Sequence, residues 1–525
     1  MSQLTLWQQR WLVAGTAVLA ALLYVGLSAL NGGPGFPLDD GWIHQTYARS
    51  LARSGRWEYV PGIVSAGSTA PLWTLLLAVG YVLRLPYLWW AFALGTLSLV
   101  WVSWSSMALW RQFWPSFAAQ SWIPGLALAL TWPLIWAAVS GMETLLFAAL
   151  GLSLLVVFGQ VAGGKPLPLT DPRLPGADYR RLILLGILSG LLVLTRPDGL
   201  VLLLLVGGGL LLMPTGFAVR IQGVAVWLGT ALLPLLPYFA FNLRASGAIW
   251  PNTFYAKQAE YALELARPFA LRLSQLLYFS LGGAESGWQG ISSAHLLLLP
   301  GLVVAGWLAL RADWQARRLW ALLPLLWAGG HVFLYAWRLP VTYQHGRYLM
   351  AALPVWVLYG LAGWQVLLKM WVGNGRAARL GQQVAALTFA LLLLLFVLLG
   401  ASAYADDVAF IEGEMVTVAH WLATNTPADA LIAAHDIGAI GYFAQRPLLD
   451  LAGLVSPETI QLLGDEAALA EYILAGDAGY LVTAPGWVYP TVTASAKAVL
   501  LYSTNYGWTQ EQGRNNMMVY ALKRQ

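Results

Sequence analysis

From Trp11 to Leu30 the chain is apolar almost without interruption. At 1.5 Å of rise per residue such a run is long enough to cross a bilayer core of about 30 Å. Asn31-Gly32-Gly33-Pro34-Gly35 ends it, and further apolar runs occupy roughly 71–90, 91–110, 121–139, 142–161, 182–195, 199–213, 221–241, 292–310, 318–337, 347–370 and 384–404. With the first they make twelve candidate membrane helices, and the length of the first favours a retained anchor over a cleaved leader, whose apolar core is usually about 7–15 residues. Between the first two runs, Ile43, Tyr47 and Leu51 share one helical face while Arg49, Arg53 and Arg56 form a basic stripe, which predicts a short helix over 41–54 lying on the membrane surface. After Ala405 the period changes. A helix over 407–424 is followed by strand-like runs at 430–434, 448–451 and 479–483 and a glycine-punctuated turn over 436–442. The pattern predicts a membrane domain over 1–404, with external loops at 31–70 and 242–291, and a small soluble α/β domain over 405–525.

Composition agrees with this division: 59% of residues are hydrophobic, only 10% are charged, and there are 28 Trp, which excludes a soluble globule. The absence of cysteine excludes disulfides, thiolate metal sites and cysteine nucleophiles. The net charge of +5 is unevenly spread, with 13 Asp/Glu against 5 Lys/Arg from Ala405 onward and 24 Lys/Arg against 11 Asp/Glu before it. No basic-aromatic patch suited to nucleic acid is present, so the basic excess reads as cytoplasmic links. Those at 163–181 (Lys165, Arg173, Arg180, Arg181), 311–318 (Arg311, Arg317, Arg318) and 369–379 (Lys369, Arg376, Arg379) put the 242–291 loop, the 338–347 loop and the acidic tail on the other side. Twelve full crossings would return the tail to the cytoplasm. The expectation is therefore about 11 or 13 transmembrane helices, and the anomaly is expected within 71–139, which holds Pro86, Pro115, Pro124 and Pro133.

Ionisable residues at membrane depth are costly, so each needs a reason. Asp39 and Asp40 stand at the start of the surface helix, where one of them is well placed to cap it and the other is left for chemistry. Glu143 lies between two apolar runs in Ser140-Gly141-Met142-Glu143-Thr144, and Arg196 and Asp198 flank Pro197 at a helix break, where they suit a structural ion pair as well as a binding role. Asn252 and Lys257 belong to Pro251-Asn252-Thr253-Phe254-Tyr255-Ala256-Lys257, and Tyr343, His345 and Arg347 to Tyr343-Gln344-His345-Gly346-Arg347-Tyr348. The charge pattern puts all of them on the side of Asp39 and Asp40. One carboxylate opposed by cations suits transfer of a sugar from a polyprenyl phosphate, because phosphate is already a good leaving group that needs positive charge, and one base for the acceptor hydroxyl then suffices. Hydrolysis of an ordinary glycoside would call for two carboxylates. A transporter or flippase of lipid-linked sugars is the competing class; transporters commonly show two related halves, and no second copy of the acidic loop occurs.

The run Asp39-Asp40-Gly41-Trp42-Ile43, continuing through Tyr47-Ala48-Arg49-Ser50-Leu51-Ala52, Tyr59-Val60-Pro61-Gly62 and Gly67-Ser68-Thr69-Ala70-Pro71-Leu72-Trp73, resembles the first external loop of GT-C glycosyltransferases. The Ser-Gly-Met-Glu-Thr, Thr-Arg-Pro-Asp-Gly, Pro-Asn-Thr-Phe-Tyr-Ala-Lys and Gly-Arg-Tyr stretches follow in the order found in the cell-wall arabinofuranosyltransferase-like branch, to about residue 350. The resemblance implies a GT-C-like membrane protein and an inverting transferase using a lipid-phosphate sugar. Asp39 or Asp40 would be its general base, and Arg347, His345, Lys257, Asn252, Glu143, Arg196 and Tyr343 would surround the substrates. It implies a glycan, lipid or protein acceptor and an active site and tail outside a bacterial plasma membrane. Relatives tend to carry an acid after Asn-Pro-Gly where this chain reads Val60-Pro61-Gly62-Ile63, and the tail resembles related tails around His435-Asp436-Ile437-Gly438-Ala439-Ile440-Gly441-Tyr442. No cofactor is expected, nor a divalent metal, since no further oxygen-ligand cluster accompanies Asp39-Asp40.

Overall fold

The computed structural model describes residues 4–162, 176–282, 293–317, 319–372, 376–486 and 488–523; Lys165, Arg173 and Arg318 of the basic links and the 283–291 part of the long loop lie outside the described residues. The chain is a polytopic helical membrane protein ending in a sheet-containing domain. Among the described residues seven helices are long and apolar enough to cross a membrane, including Leu6–Asn31, Tyr87–Phe113 and Phe217–Ser246, and Pro71–Val82 and Pro197–Leu211 are shorter apolar pieces. The first helix starts at a capping box: Gln8 N donates to Thr5 Oγ1 at 3.3 Å and Thr5 N donates to Gln8 Oε1 at 2.8 Å.

The surface helix expected over 41–54 forms over Asp40–Ser54, but Gly41 to Ala48 are buried and Arg49 lies over the Tyr442 ring of the tail, so its first half is covered instead of lying on a membrane surface. It stops at Gly55, whose φ of 68° only glycine adopts without strain and whose N–H donates to Leu51 O. The break expected near 90 falls instead before Pro86, which has no N–H to offer and steers its predecessor away from helix. Pro71–Val82 starts beside Ser68 and ends against the surface helix and the tail without crossing. Tyr81 Oη donates to Gln45 of the surface helix (2.8 Å) and to Tyr442 of the tail (3.0 Å), and Tyr87 packs on Trp42 and Tyr442. These bonds withdraw Pro71–Val82 from the candidate crossings and bring the tail to the end that holds Asp40. The 121–139 run is also not one helix. Trp122–Ala129 and Trp132–Ala138 meet at Leu130-Thr131, with Pro133 starting the second, and together they replace one span.

Close approach elsewhere is built on small residues, as membrane packing without a hydrophobic drive requires. The Leu299–Ala316 helix lies against Leu353–Val372 where Gly301 faces Gly360 and Gly363. Asp313, near the end of the first of these, accepts from Trp320 N (2.9 Å), Ala321 N (3.0 Å) and Leu322 N (2.8 Å) and so fixes the turn into Leu323–Arg338.

The last membrane helix, Arg376–Phe410, continues through a wider turn at Ile411–Val416 into Thr417–Asn425 without a loop. Buried Glu414 ties it to the tail by accepting from Thr504 Oγ1 (2.5 Å), Asn516 Nδ2 (2.8 Å) and Met517 N (2.7 Å). A hairpin of β1 (Glu58–Val60) and β2 (Ile63–Val64) follows the surface helix. The tail holds β3 (Ile432–Ala434), β4 (Leu448–Asp450), β5 (Tyr480–Thr483), β6 (Ala498–Ser503) and β7 (Met518–Leu522) in the order β4-β3-β5-β7-β6. Strand β3 pairs in parallel with β4 and β5, and β7 runs antiparallel to β5 and β6.

A Cβ added to Gly363 would strike the Gly301 backbone, with its Cα at 2.7 Å, whereas one added to Gly229 meets nothing within 4 Å. Gly363→Ala is expected to cost about 1–3 kcal/mol and lower the thermal unfolding midpoint of the detergent-solubilised chain, with Gly229→Ala unchanged or slightly higher; equal midpoints would remove the close contact.

Candidate active site

The two neighbouring acids part company. Asp39 is buried and its side chain makes no bond to its own helix; Oδ2 accepts from Gly438 N at 2.6 Å and Oδ1 from Ala439 N at 2.7 Å. Those amides open the helical turn 438–444 of the tail, so Asp39 caps a helix nearly 400 residues away rather than the one it precedes. The glycines of that stretch give the closeness: a Cβ on Gly438 would lie 2.6 Å from Asp39 Oδ2, and one on Gly441 would enter the Tyr59 ring. Tyr59 Oη donates to Ile437 O at 2.6 Å beside them. Burial, then the charge of Asp436, push the Asp39 carboxyl up to about 8 against the pull of the two amides.

Asp40 turns the other way and accepts from Arg347 Nη2. Burial alone would raise its carboxyl, but Arg347 and then Lys257 hold it below the usual carboxylate range. It lines a cavity of about 480 Å³ together with His44, Glu143, Arg196, Asp198, Lys257, Arg338, Arg347 and Tyr348. Arg347 is 3% exposed and lies over the Tyr348 ring at 4.8 Å. Its Nη2 is shared between Asp40 and Tyr348 Oη, while its buried Nε and Nη1 have no hydrogen-bond partner within the protein.

One wall of the cavity is a closed ionic brace. Arg196 Nη1 donates to Glu143 Oε1 (3.0 Å), its Nε to Asp198 Oδ1 (3.2 Å) and its Nη2 to Tyr335 Oη (2.5 Å), and Tyr335 Oη donates to Asp198 Oδ2 (2.7 Å). His44 Nε2 stands 3.3 Å from Glu143 Oε2. Pro197 breaks the ladder between two helices at this point, which frees the backbone turn that lets Arg196 and Asp198 face inward together. Apolar lining comes from Leu200, Val201, Leu204, Trp250, Phe254 and Trp337, and Leu204 and Trp337 are themselves 74% and 57% exposed on the outside of the bundle.

Of the residues singled out from sequence, Asp40, Glu143, Arg196, Lys257 and Arg347 converge on the cavity and Asp39, Asn252, Tyr343 and His345 do not line it. Asn252 is a clamp, its N–H donating to Ala66 O at 2.9 Å, while its neighbour Thr253 reaches the cavity and bonds Gly67 O at 2.5 Å. Tyr343 backs the site, with its ring on Tyr261 and its Oη 3.3 Å from Tyr348 Oη. His345 points elsewhere: Nε2 meets Asp407 Oδ2 at 2.7 Å and the ring packs edge-on against Trp132 and Trp136. The Val60-Pro61-Gly62-Ile63 stretch is the turn of the β1–β2 hairpin and also stays outside the cavity. Sequence reading missed His44, Tyr348 and Arg338. His44 lies one turn after Asp40 on the same helix, which is a readable spacing, and Arg338 follows the last apolar position of its run. Among the described residues no group of three or more His, Asp or Glu is arranged to hold a metal ion.

Residues 406–520 match a family model described as a domain of unknown function, DUF8728. No curated protein matches the chain. Among solved structures the chain is similar to ArnT from Cupriavidus metallidurans bound to undecaprenyl phosphate, at 16% identity and a TM-score of 0.57 over 98% of this chain and 99% of that one. It is similar to the archaeal oligosaccharyltransferase AglB from Archaeoglobus fulgidus in complex with an inhibitory peptide and a dolichol-phosphate, at 14% identity and a TM-score of 0.60 over 99% of this chain and 75% of that one. It is also similar to arabinofuranosyltransferase AftD from Mycobacteria, at 17% identity and a TM-score of 0.51 over 100% of this chain and 40% of that one. Its structural neighbours are GT-C glycosyltransferases, and the chain has the GT-C fold that its first-loop and Gly-Arg-Tyr stretches resemble.

Proposed function

We propose that the chain is an inverting glycosyltransferase that moves a sugar from a polyprenyl-phosphate donor to a hydroxyl of a glycan, lipid or protein acceptor, with Asp40 as general base. The observation that carries this reading is Arg347. Its guanidinium is buried, one arm is bound to Asp40, and two nitrogens, Nε and Nη1, remain without a protein partner beside a cavity that also holds Lys257 and Arg338. A phosphate oxygen satisfies those donors, and the apolar lining leading to exposed Leu204 and Trp337 gives a polyprenyl chain a route to the surrounding lipid. Two structural neighbours are solved with a polyprenyl-type phosphate bound, undecaprenyl phosphate in one and a dolichol-phosphate in the other, which supports the same donor class.

The acceptor O–H gives its proton to Asp40 as its oxygen bonds the anomeric carbon. The phosphate departs from the opposite face with the electron pair of the broken C–O bond, which inverts that carbon. Arg347, Lys257 and Arg338 meet the growing phosphate charge, and because their placement is fixed before reaction they cost no reorganisation. Three cations serve the leaving group, so no step is given to a divalent ion. Arg181 lies at the far end of the helix that leads into Arg196 of the cavity, and Arg220 at the far end of the helix that leads toward Trp250, which supports an extracytoplasmic site and tail.

The test uses purified full-length chain with a panel of polyprenyl-phosphate sugars, scoring release of lipid phosphate and a new glycosidic bond. Asp40→Asn is expected to lower transfer by about 10³-fold or more with the unfolding midpoint preserved. Asp39→Asn presents an amide nitrogen to an N–H donor, so it is expected to loosen the tail, seen as faster proteolysis after residue 430, at about 1–3 kcal/mol for the orphaned amide. Full transfer by Asp40→Asn, or movement of intact donor across vesicles without bond formation, would end the reading.

The acidic limb of the rate profile gives a second prediction. A base held below the usual carboxylate range works above its pKa and loses activity only as pH falls through it. Arg347→Gln removes the main charge holding Asp40 down and leaves burial to push it up, so the acidic limb of kcat/KM is expected to move to higher pH. An unmoved limb would show that the base lies elsewhere.

A further inference from the structure

The tail does more than rest on the membrane domain. Beyond the Asp39 contact, it sends two loops toward the cavity. One follows β4, where buried Asp450 accepts from Ala452 N (2.9 Å) and Val455 N (2.7 Å) and sets Leu454 into the cavity lining; the Leu454 carbonyl lies so close over Gly67 that an added Cβ would sit 2.6 Å from it. The other follows β3 and carries His435. Its Nδ1 is 3.2 Å from Asp436 Oδ1, and its Nε2 is 3.6 Å from Glu260 Oε1 on the long external loop. The second oxygen of Glu260 is 3.1 Å from Lys257 Nζ, and Lys257 lines the cavity with Asp40.

The four groups form a line from tail to cavity: Asp436, His435, Glu260, Lys257. Glu260 is shared by two cations. While His435 carries a proton, it takes part of the Glu260 charge and leaves the Lys257 ammonium with a surplus toward the cavity. Without that proton Glu260 answers to Lys257 alone, and the pair becomes neutral and turned away from any anion. We infer that the tail completes the active site through His435, a positioning residue that acts through Glu260 to keep Lys257 available to the donor phosphate without itself touching substrate. This rests on the proposed donor class. Burial works against the charge of His435, but Asp436 and Glu260 outweigh it and push the imidazole up to about 10, so the charge is present through the neutral range. Glu260 is held down to about 2 in spite of burial, by His435 and then Lys257, and is ionised alongside it.

The test compares the full-length chain with His435→Gln, Glu260→Gln and the double variant, using binding of undecaprenyl phosphate in detergent and the donor KM and kcat of transfer. His435→Gln is expected to weaken undecaprenyl phosphate binding about tenfold and to raise donor KM with kcat nearly kept. His435→Gln combined with Glu260→Gln removes both charges and is expected to recover most of the affinity, which loss of tail packing alone would not allow. Resistance of the tail to proteolysis, equal across the set, keeps misfolding out of the comparison. His435→Gln binding as tightly as wild type, or a double variant as weak as the single one, overturns the inference. Wild-type chain that binds undecaprenyl phosphate yet transfers no sugar ends the transferase reading and leaves the Lys257 relay standing; wild-type chain that binds none ends both.

Discussion

The arrangement depends on the pairing of Arg347 with Asp40 across more than 300 residues of chain. A guanidinium 3% exposed is expensive to desolvate, and a single well-placed carboxylate repays only part of that cost. The faces of Tyr348 and Tyr343 on which the guanidinium lies, at 4.8 and 5.9 Å, offset some of the remainder, and Nε and Nη1 are left without a partner. Bringing the pair together forces the surface helix over the mouth of the bundle. That in turn places His44 against Glu143 and the first loop against Asn252 and Thr253. The ion pair is thus both a fold constraint and the point where charge is held ready.

The same logic separates the two adjacent acids. Asp40 starts a helix, so its side chain leaves the axis toward the cavity, while Asp39, one residue back, leaves it toward the tail. Each finds the one kind of partner available on its side, a guanidinium for Asp40 and two helix-opening amides for Asp39. A carboxylate engaged on both oxygens by backbone amides has little capacity left for a substrate proton, whereas Asp40 retains an oxygen facing a cavity. Their difference is set by what the rest of the fold brings to either side and not by anything in the dipeptide.

This explains what could be read from the sequence. The break at Pro197, a helix over 41–54 from its period, and the convergence of Asp40, Glu143, Arg196, Lys257 and Arg347 follow from local rules: a missing donor, a helical period, and the cost of charge at membrane depth. His345 did not follow, because Gln344 and His345 both adopt left-handed backbone, with φ of 53° and 57°, and swing the imidazole away from Arg347 toward Asp407. Pro71–Val82 is as apolar as a spanning helix, and only its bonds to Gln45 and Tyr442 show that it stays at one end. Strands β6 and β7 escaped notice because one lies at the sheet edge with apolar residues exposed and the other is buried, so neither alternates clearly.

The balance of charge around the cavity argues for the direction in which such a site would work. Asp40, Glu143 and Asp198 face Arg196, Lys257, Arg338 and Arg347, while Glu260 and His435 offset one another behind them. The lining itself thus carries four cations against three carboxylates, with Asp436 beside His435 in the row behind it. A polyprenyl-phosphate sugar is a diester with a single negative charge, and its departing phosphate gains a second as the bond to the sugar breaks. A lining already satisfied by the diester would hold donor and product alike; one whose cations are only partly used, as Nε and Nη1 of Arg347 show, gains most when the second charge appears. In a cavity partly lined by apolar side chains that excess is screened less than it would be in water, which gives a physical reason for the chemistry to sit at the edge of a membrane.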